Sequence, residues 1–278
     1  MADLRRIVLC ADDYGLSPGV NTAIRDLLKR GRINATSAMM VTPAIDQAEA
    51  DALAAIKAEQ PSIAIGLHVT LTTPFRPLTA GYAPLRDGTF LSIGQTLGAA
   101  MLRQLKPTLL AAEIRAQIEK FTATFGVPPD YLDGHQHVQI FPQVRDAFLE
   151  IVSKDLPNSW VRQCGRVTPL SSRLADRKGL LLDILSNGFR ARAARLGVRT
   201  NPGFGGSYDF NANPDFAALF PQFLNGLPDG SVVMCHPGFV DETLKRLDPL
   251  TDLREAEYAF FAAETFPKIM AANRVTLA

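Results

Sequence analysis

The sequence is poor in cysteine: Cys10, Cys164 and Cys235 are its only three in 278 residues, and none forms a CxxC pair. Thiols so few and scattered exclude a disulfide framework and read as reduced, mostly buried residues of a cytoplasmic protein. Excess charge is missing too. With 29 basic and 28 acidic residues, a net charge of +1 and no basic stripe, the chain lacks the footprint of a nucleic-acid binder. No apolar run approaches the roughly 18 residues that span a bilayer. Arg5 and Arg6 precede a short apolar run in the manner of a signal peptide, but Asp12 and Asp13 interrupt it almost at once, so a first core strand is expected there. The glycine fingerprints of nucleotide folds are also missing: the stretch from Gly15 to Gly19 lacks their spacing, and no GKS or GKT occurs. The stretch GFGG at 203–206 follows no clear strand and reads as a flexible loop. No linker, internal repeat or low-complexity tract is found.

What is present is a globular composition, 47% apolar and 21% charged, and a steady alternation of β-rich runs with amphipathic helical stretches. The first strand is expected at Ile7–Ala11. The helix after it has Ser17 as N-cap, Pro18 at its first position and Gly31 just past its end. Further strands are expected near 35–41, from Ser62 through SIAIGLHVTL, over YLDGHQH, near 160–163 and over SVVMCHPG. Helices are expected near 44–60, along the spacing of Leu110, Ile114, Ile118, Phe121 and Phe125, from Pro142, over about 171–196, after Pro214 and over about 250–272. A polar segment rich in proline and glycine covers about 72–92. Repeated strand–helix units imply a mostly parallel sheet with helices outside it. The expected fold class is α/β, a single-domain distorted β/α barrel over residues 1–278, with an open doubly wound sheet as the alternative.

All four histidines, His68, His135, His137 and His236, fall at the expected C-terminal ends of strands. The adjacent Asp12 and Asp13 take the same place on the first strand. In β/α architectures that edge is where sites assemble. A lone buried histidine is often no more than a hydrogen-bonded core residue, but four on one edge beside a carboxylate pair point to a shared site. Carboxylate plus imidazole suits a divalent transition metal, or less readily a harder cation, and one carboxylate with two histidines leaves positions open for water and substrate. Such a cation also offsets the repulsion between two carboxylates in an apolar setting. One aspartate can ligate while its neighbour takes a proton from the attacking water. Adjacent side chains face opposite ways along a regular strand, so a turn at the strand end has to aim both inward.

The motifs ADDYGLSPGVN, IGLHVTLT, DGHQHVQIFP and VMCHPGF run in order from residue 11 to residue 239. Together they resemble the YdjC-like carbohydrate deacetylases, a family that includes chitooligosaccharide deacetylase. The resemblance implies a distorted β/α barrel that removes acetyl groups from N-acetylated sugars with one divalent metal ion, zinc or magnesium foremost, with nickel and cobalt also suited to the donors. It implies Asp13, His68 and His135 as metal ligands, Asp12 as general base and His236 as general acid. The third motif departs from the usual DSHHHVH: Gly134 stands in place of serine, and Gln136 and Gln139 in place of histidines. His135 is kept, so the departures are expected to change substrate contacts rather than metal binding.

The residue types match that chemistry. A metal-activated water adds to the acetyl carbon, Asp12 takes its proton, and His236 protonates the departing amine. His137, two residues after His135, is expected to point the same way along an extended strand and to line the site, with a fourth-ligand role as the alternative. Arg162, near another strand end, pairs with Asp12 or forms a surface salt bridge. Tyr14, Phe75 and Tyr208 lie near the motif loops, where they stack on sugar rings or pack in the core. The expected substrate is an N-acetylglucosamine-type oligosaccharide or glycoconjugate. Other metal-assisted hydrolysis, of a formyl group or a phosphoester, and non-catalytic sugar binding are the alternatives. No nucleic-acid partner and no membrane span are expected. Oligomeric state is open, with a homodimer among the options.

Overall fold

Strand β1 (Arg5–Tyr14) lies at the centre of a parallel sheet and is buried over its whole second half. The computed structural model describes residues 4–167, 177–208 and 214–278. Seven parallel strands curl in the order β5-β4-β3-β2-β1-β7-β6: β2 (Ala35–Ala38), β3 (Ala64–Val69), β4 (Tyr131–Gly134), β5 (Trp160–Val161), β6 (Phe204–Gly205) and β7 (Ser231–Cys235) complete the set. A short β8 (Val275–Leu277) pairs with the start of β1, setting Arg5 opposite Val275. Val161 also bridges to Thr200, just ahead of β6, so the two sheet edges approach through an irregular seam. This is a distorted β/α barrel. Helices on the outside explain why β2 and β7 are buried at every position.

The first helix follows its punctuation. In α1 (Pro18–Lys29) the Ser17 hydroxyl accepts from the Val20 N–H, and Gly31 sits at φ +60° beyond the end. Helix α2 (Gln47–Glu59) is capped by Asp46. The segment after β3 carries α3 (Ile93–Met101), opened by a Ser92/Gln95 capping box; this helix has no counterpart among the expected elements. Helix α4 (Pro107–Phe125) buries Leu110, Ile114, Ile118 and Phe121, and ends at Gly126 with φ +72°. Helices α5 (Val144–Asp155), α6 (Arg177–Arg195) and α7 (Phe216–Leu224) follow. The expected start of α6 at 171 lies outside the described residues.

Three expectations are corrected. The strand expected through His137 stops at Gly134, and His135–Ile140 form a tight 3-10 turn with Gln136 and His137 at φ +54° and +59°. The GFGG stretch contains β6, with Phe204 opposite Val232 on β7, so part of it is a strand and not a free loop. The last helix is two, α9 (Asp252–Ala262) and α10 (Phe266–Ala272), because Pro267 starts a helix well and continues one badly. A short α8 (Glu242–Leu247) precedes them. Among the described residues, no helix is long and apolar enough to cross a membrane.

Candidate active site

The two aspartates sit where β1 stops being regular. Its register against β2 shifts between Ala11 and Tyr14, and Asp13 takes φ +70°. That bulge breaks the strand's alternation, so neighbouring side chains both face the site. The two carboxylates are also neutralised separately. Arg162, just past β5, holds Asp12 by both oxygens, at 2.6 and 2.8 Å. Arg254 on α9 donates to Asp13 Oδ2 at 2.7 Å. Burial alone would raise both carboxyls. Arg162, with His68 and His236, outweighs it for Asp12, and Arg254 with His135 outweighs it for Asp13, so both are held well below the usual carboxylate range.

Beside them three donors converge. His68 Nε2 lies 3.3 Å and His135 Nδ1 3.0 Å from Asp13 Oδ1, and all three residues are buried. Donors about 2.1 Å from a small divalent cation stand roughly 3.0–3.4 Å apart, so the spacing fits one. Pairing across β3 and β4 sets His68 opposite Asp133, and the His68 Nδ1 meets Asp133 Oδ1 at 2.6 Å. That contact leaves Nε2 turned to the cluster, the usual arrangement of a metal-ligating histidine. Burial opposes a charged His68, but Asp133 and Asp12 outweigh it and lift its pKa to about 10, so a cation has to displace a proton there. A second acidic group, Cys10, Asp12 and Asp133, already has its cation: the Arg162 Nη1 is 2.6 Å from Asp12 and 3.1 Å from Asp133.

His236, just past β7, brings its Nε2 to 3.9 Å from Asp12 Oδ2. Its backbone N–H donates to Glu257 Oε2 at 2.5 Å, and the Tyr208 hydroxyl donates to Glu257 Oε1 at 2.7 Å. The aspartates and all four histidines line one cavity of about 980 Å³, walled in part by Leu97, Phe141, Leu185, Met234 and Leu250.

The expected site residues thus come together with some changes of place. Arg162 is wholly buried against Asp12, not a surface ion pair. His137 lines the cavity but stays outside the three-donor cluster. Its ring packs edge-on against Phe204, and its Nδ1 lies 3.5 Å from Cys164 Sγ. Burial, with Arg162 nearby, pushes its pKa down to about 3, so the imidazole is neutral. Tyr14 is fully buried, with its hydroxyl donating to Glu49 on α2, and is not part of the cavity wall. Phe75 packs edge-on against His135, and Tyr208 does reach the cavity. The departures in the third motif are partly one unit: a Cβ at Gly134 would lie 2.6 Å from Gln139 Oε1, so the Gln139 amide occupies space that a side chain at position 134 would need. Gln136 is exposed at the cavity.

Sequence reasoning missed Asp133, Arg254 and Glu257. Asp133 lies two residues before His135 and carried a usable signal, since metal-bound histidines commonly lean on a carboxylate. Arg254 and Glu257 look like ordinary polar positions of a surface helix.

With this geometry the comparisons are consistent. The YdjC-like protein model matches residues 6–272, and the chain belongs to that family. The chitooligosaccharide deacetylase of Yersinia pestis (strain Pestoides F) is 30% identical over 244 residues, covering 86% of this chain and 83% of its own. Among solved structures, a protein of Enterococcus faecalis V583, described provisionally as a cellobiose-phosphate cleavage protein, superposes with a TM-score of 0.76 at 21% identity, over 100% of this chain and 97% of that one. The lactam utilization protein of Thermus thermophilus superposes with a TM-score of 0.52 at 13% identity, over 98% of each chain. At these identities the two structures speak for the fold.

Proposed function

We propose that this chain is a hydrolase that removes the acetyl group from an N-acetylated sugar of the N-acetylglucosamine type. In this reading Asp13, His68 and His135 hold one divalent cation, Asp12 is the general base and His236 the general acid. The observation that carries it is the joint placement, on one cavity floor, of a three-donor cluster and of an aspartate 3.9 Å from a histidine. The curated relative's name, a deacetylase of chitooligosaccharides, supplies the substrate class.

A divalent cation held at the cluster supplies Lewis-acid polarisation of the acetyl carbonyl and a more acidic attacking water. The chain supplies the proton traffic. Asp12 is anionic because Arg162 holds it so, and it accepts the water's proton as oxygen adds to the acetyl carbon. The C–N bond then breaks, and His236 delivers a proton to the amine nitrogen, giving acetate and a free amino sugar. Glu257 holds the His236 backbone in place. Residues 1–278 act as one barrel domain in this reading, tied end to end by β8 on β1. Three free, buried cysteines support a cytoplasmic setting.

The test is acetate release from N-acetylglucosamine oligomers, by chelator-stripped and metal-restored protein, wild type beside Asp12→Asn. Metal-dependent release that falls by a factor on the order of 10³ or more in the variant supports the reading. Release without metal, or full activity in Asp12→Asn, overturns it. Stoichiometric metal binding with no release from any sugar points instead to another acyl substrate or to a binding protein.

A further inference from the structure

Arg254 is 1% exposed and does more than neutralise Asp13. Its Nη2 donates to Asp13 Oδ2 at 2.7 Å and to Asp248 Oδ2 at 2.6 Å, and its Nε donates to the Leu250 carbonyl at 3.1 Å. Asp248 and Leu250 line the cavity, so one guanidinium ties Asp13 to the cavity rim. The Asp13 oxygen left over, Oδ1, is the one that faces His68 and His135. Arg254 Nη1 has no acceptor among the described residues. A buried arginine with an unused donor is a poor stabiliser of a fold, so its placement speaks for the site.

We propose that Arg254 is a positioning residue: by occupying Oδ2 it fixes the Asp13 carboxylate so that Oδ1 alone is offered to the cation. The inference rests on the reading of Asp13 as a metal ligand. Charge and position predict opposite effects of losing Arg254. Removing a buried positive charge beside the cluster would, by charge alone, tighten cation binding. A carboxylate freed to rotate, or to offer both oxygens, binds less well, and loss of such a supporting partner costs on the order of 10–100-fold in affinity.

The experiment is Co2+ binding to chelator-stripped protein, read as affinity by chelator competition and as the visible absorption of the bound ion. Arg254→Met is expected to weaken binding on the order of 10–100-fold and to alter the absorption, because the carboxylate's coordination changes. Arg254→Lys keeps the charge without the planar fork and is expected to fall between. Tighter or unchanged binding in Arg254→Met overturns the proposal, as does weaker binding with an unchanged spectrum. Should that variant fail to fold, Arg254→Lys carries the test: weaker binding with an altered spectrum supports it, and wild-type behaviour overturns it. Asp13→Asn separates the two readings. Wild-type Co2+ binding in that variant removes Asp13 from the ligand set and takes the functional reading with it. Loss there, with no change in the Arg254 variants, ends this inference alone.

Discussion

Arg162 grips Asp12 through two parallel hydrogen bonds of 2.6 and 2.8 Å, where neither side chain reaches solvent beyond 3%. Breaking a buried pair by removing one partner leaves an uncompensated charge and costs about 3–5 kcal/mol. Arg162→Met is therefore expected to lower unfolding stability by about that amount, measured by urea denaturation. Asp133 adds to the effect, because its Oδ2 also leans on Arg162 at 3.1 Å. A loss below about 1 kcal/mol, the size of an exposed pair, would show that the guanidinium is not their counter-charge.

Gly134 and Gln139 give a coupled pair. A Cβ placed on residue 134 meets Gln139 Oε1 at 2.6 Å and the Gln139 backbone N at 3.1 Å. Gly134→Ala is expected to destabilise by about 1–3 kcal/mol through overpacking. In the background of Gln139→Ala the same substitution should cost clearly less, with a coupling energy of about 0.5–3 kcal/mol. Additive effects in that double-mutant cycle would mean that residues 134 and 139 do not compete for the same space.

The strand-end histidines were legible because each closes a short β-rich run, a pattern that local sequence carries. The turn at His135 was not. Little in HQHVQI announces it: Gln136 is not a residue type that favours a positive φ, and the tolerance of His137 for one is a weak signal by itself; the turn is accompanied by the packing of Val138 and Ile140, both fully buried. Strand β6 was hidden by its length of two residues, one of them a glycine. Arg254 and Glu257 were invisible for a further reason. Their neighbours in LREAEYAF read as a helix with a polar face, and only the docking of α9 beside Asp13 and His236 turns that face inward. Contacts between residues as far apart as Asp13 and Arg254 leave no trace in a local pattern. The pairing of Asp12 with Arg162 was half legible, since the arginine's strand-end position was visible and its burial was not.

The cysteines should be chemically silent. Cys10, Cys164 and Cys235 are all buried, and burial pushes the Cys164 thiol up to about 12 and the other two well above their usual value. The thiolate is the reactive form, so an aromatic disulfide reagent at mildly alkaline pH is expected to titrate none of the three in the folded protein and all three in guanidinium. A thiol that reacts within minutes in the folded protein would put one of them at an accessible position.

Glu257 supplies a pH dependence whose sign can be stated. Its carboxyl is buried, and burial raises its pKa above the usual value despite His236, the His236 backbone N–H and the Tyr208 hydroxyl, all of which favour the charged form. A carboxyl raised in the folded state contributes stability that is fully present below its unfolded pKa, about 4.3. That stability is lost as pH rises through the folded value. Glu257→Gln has no such titration. At low pH the protonated Glu257 carboxyl and the glutamine amide each present one good acceptor, so the two proteins should differ by less than about 1 kcal/mol there. As pH rises from about 4 to about 8 the melting temperature of the wild type should fall relative to that of Glu257→Gln. A wild type that holds or gains ground on the variant over that range would mean that Glu257 is held charged across it and that its two donors outweigh its burial.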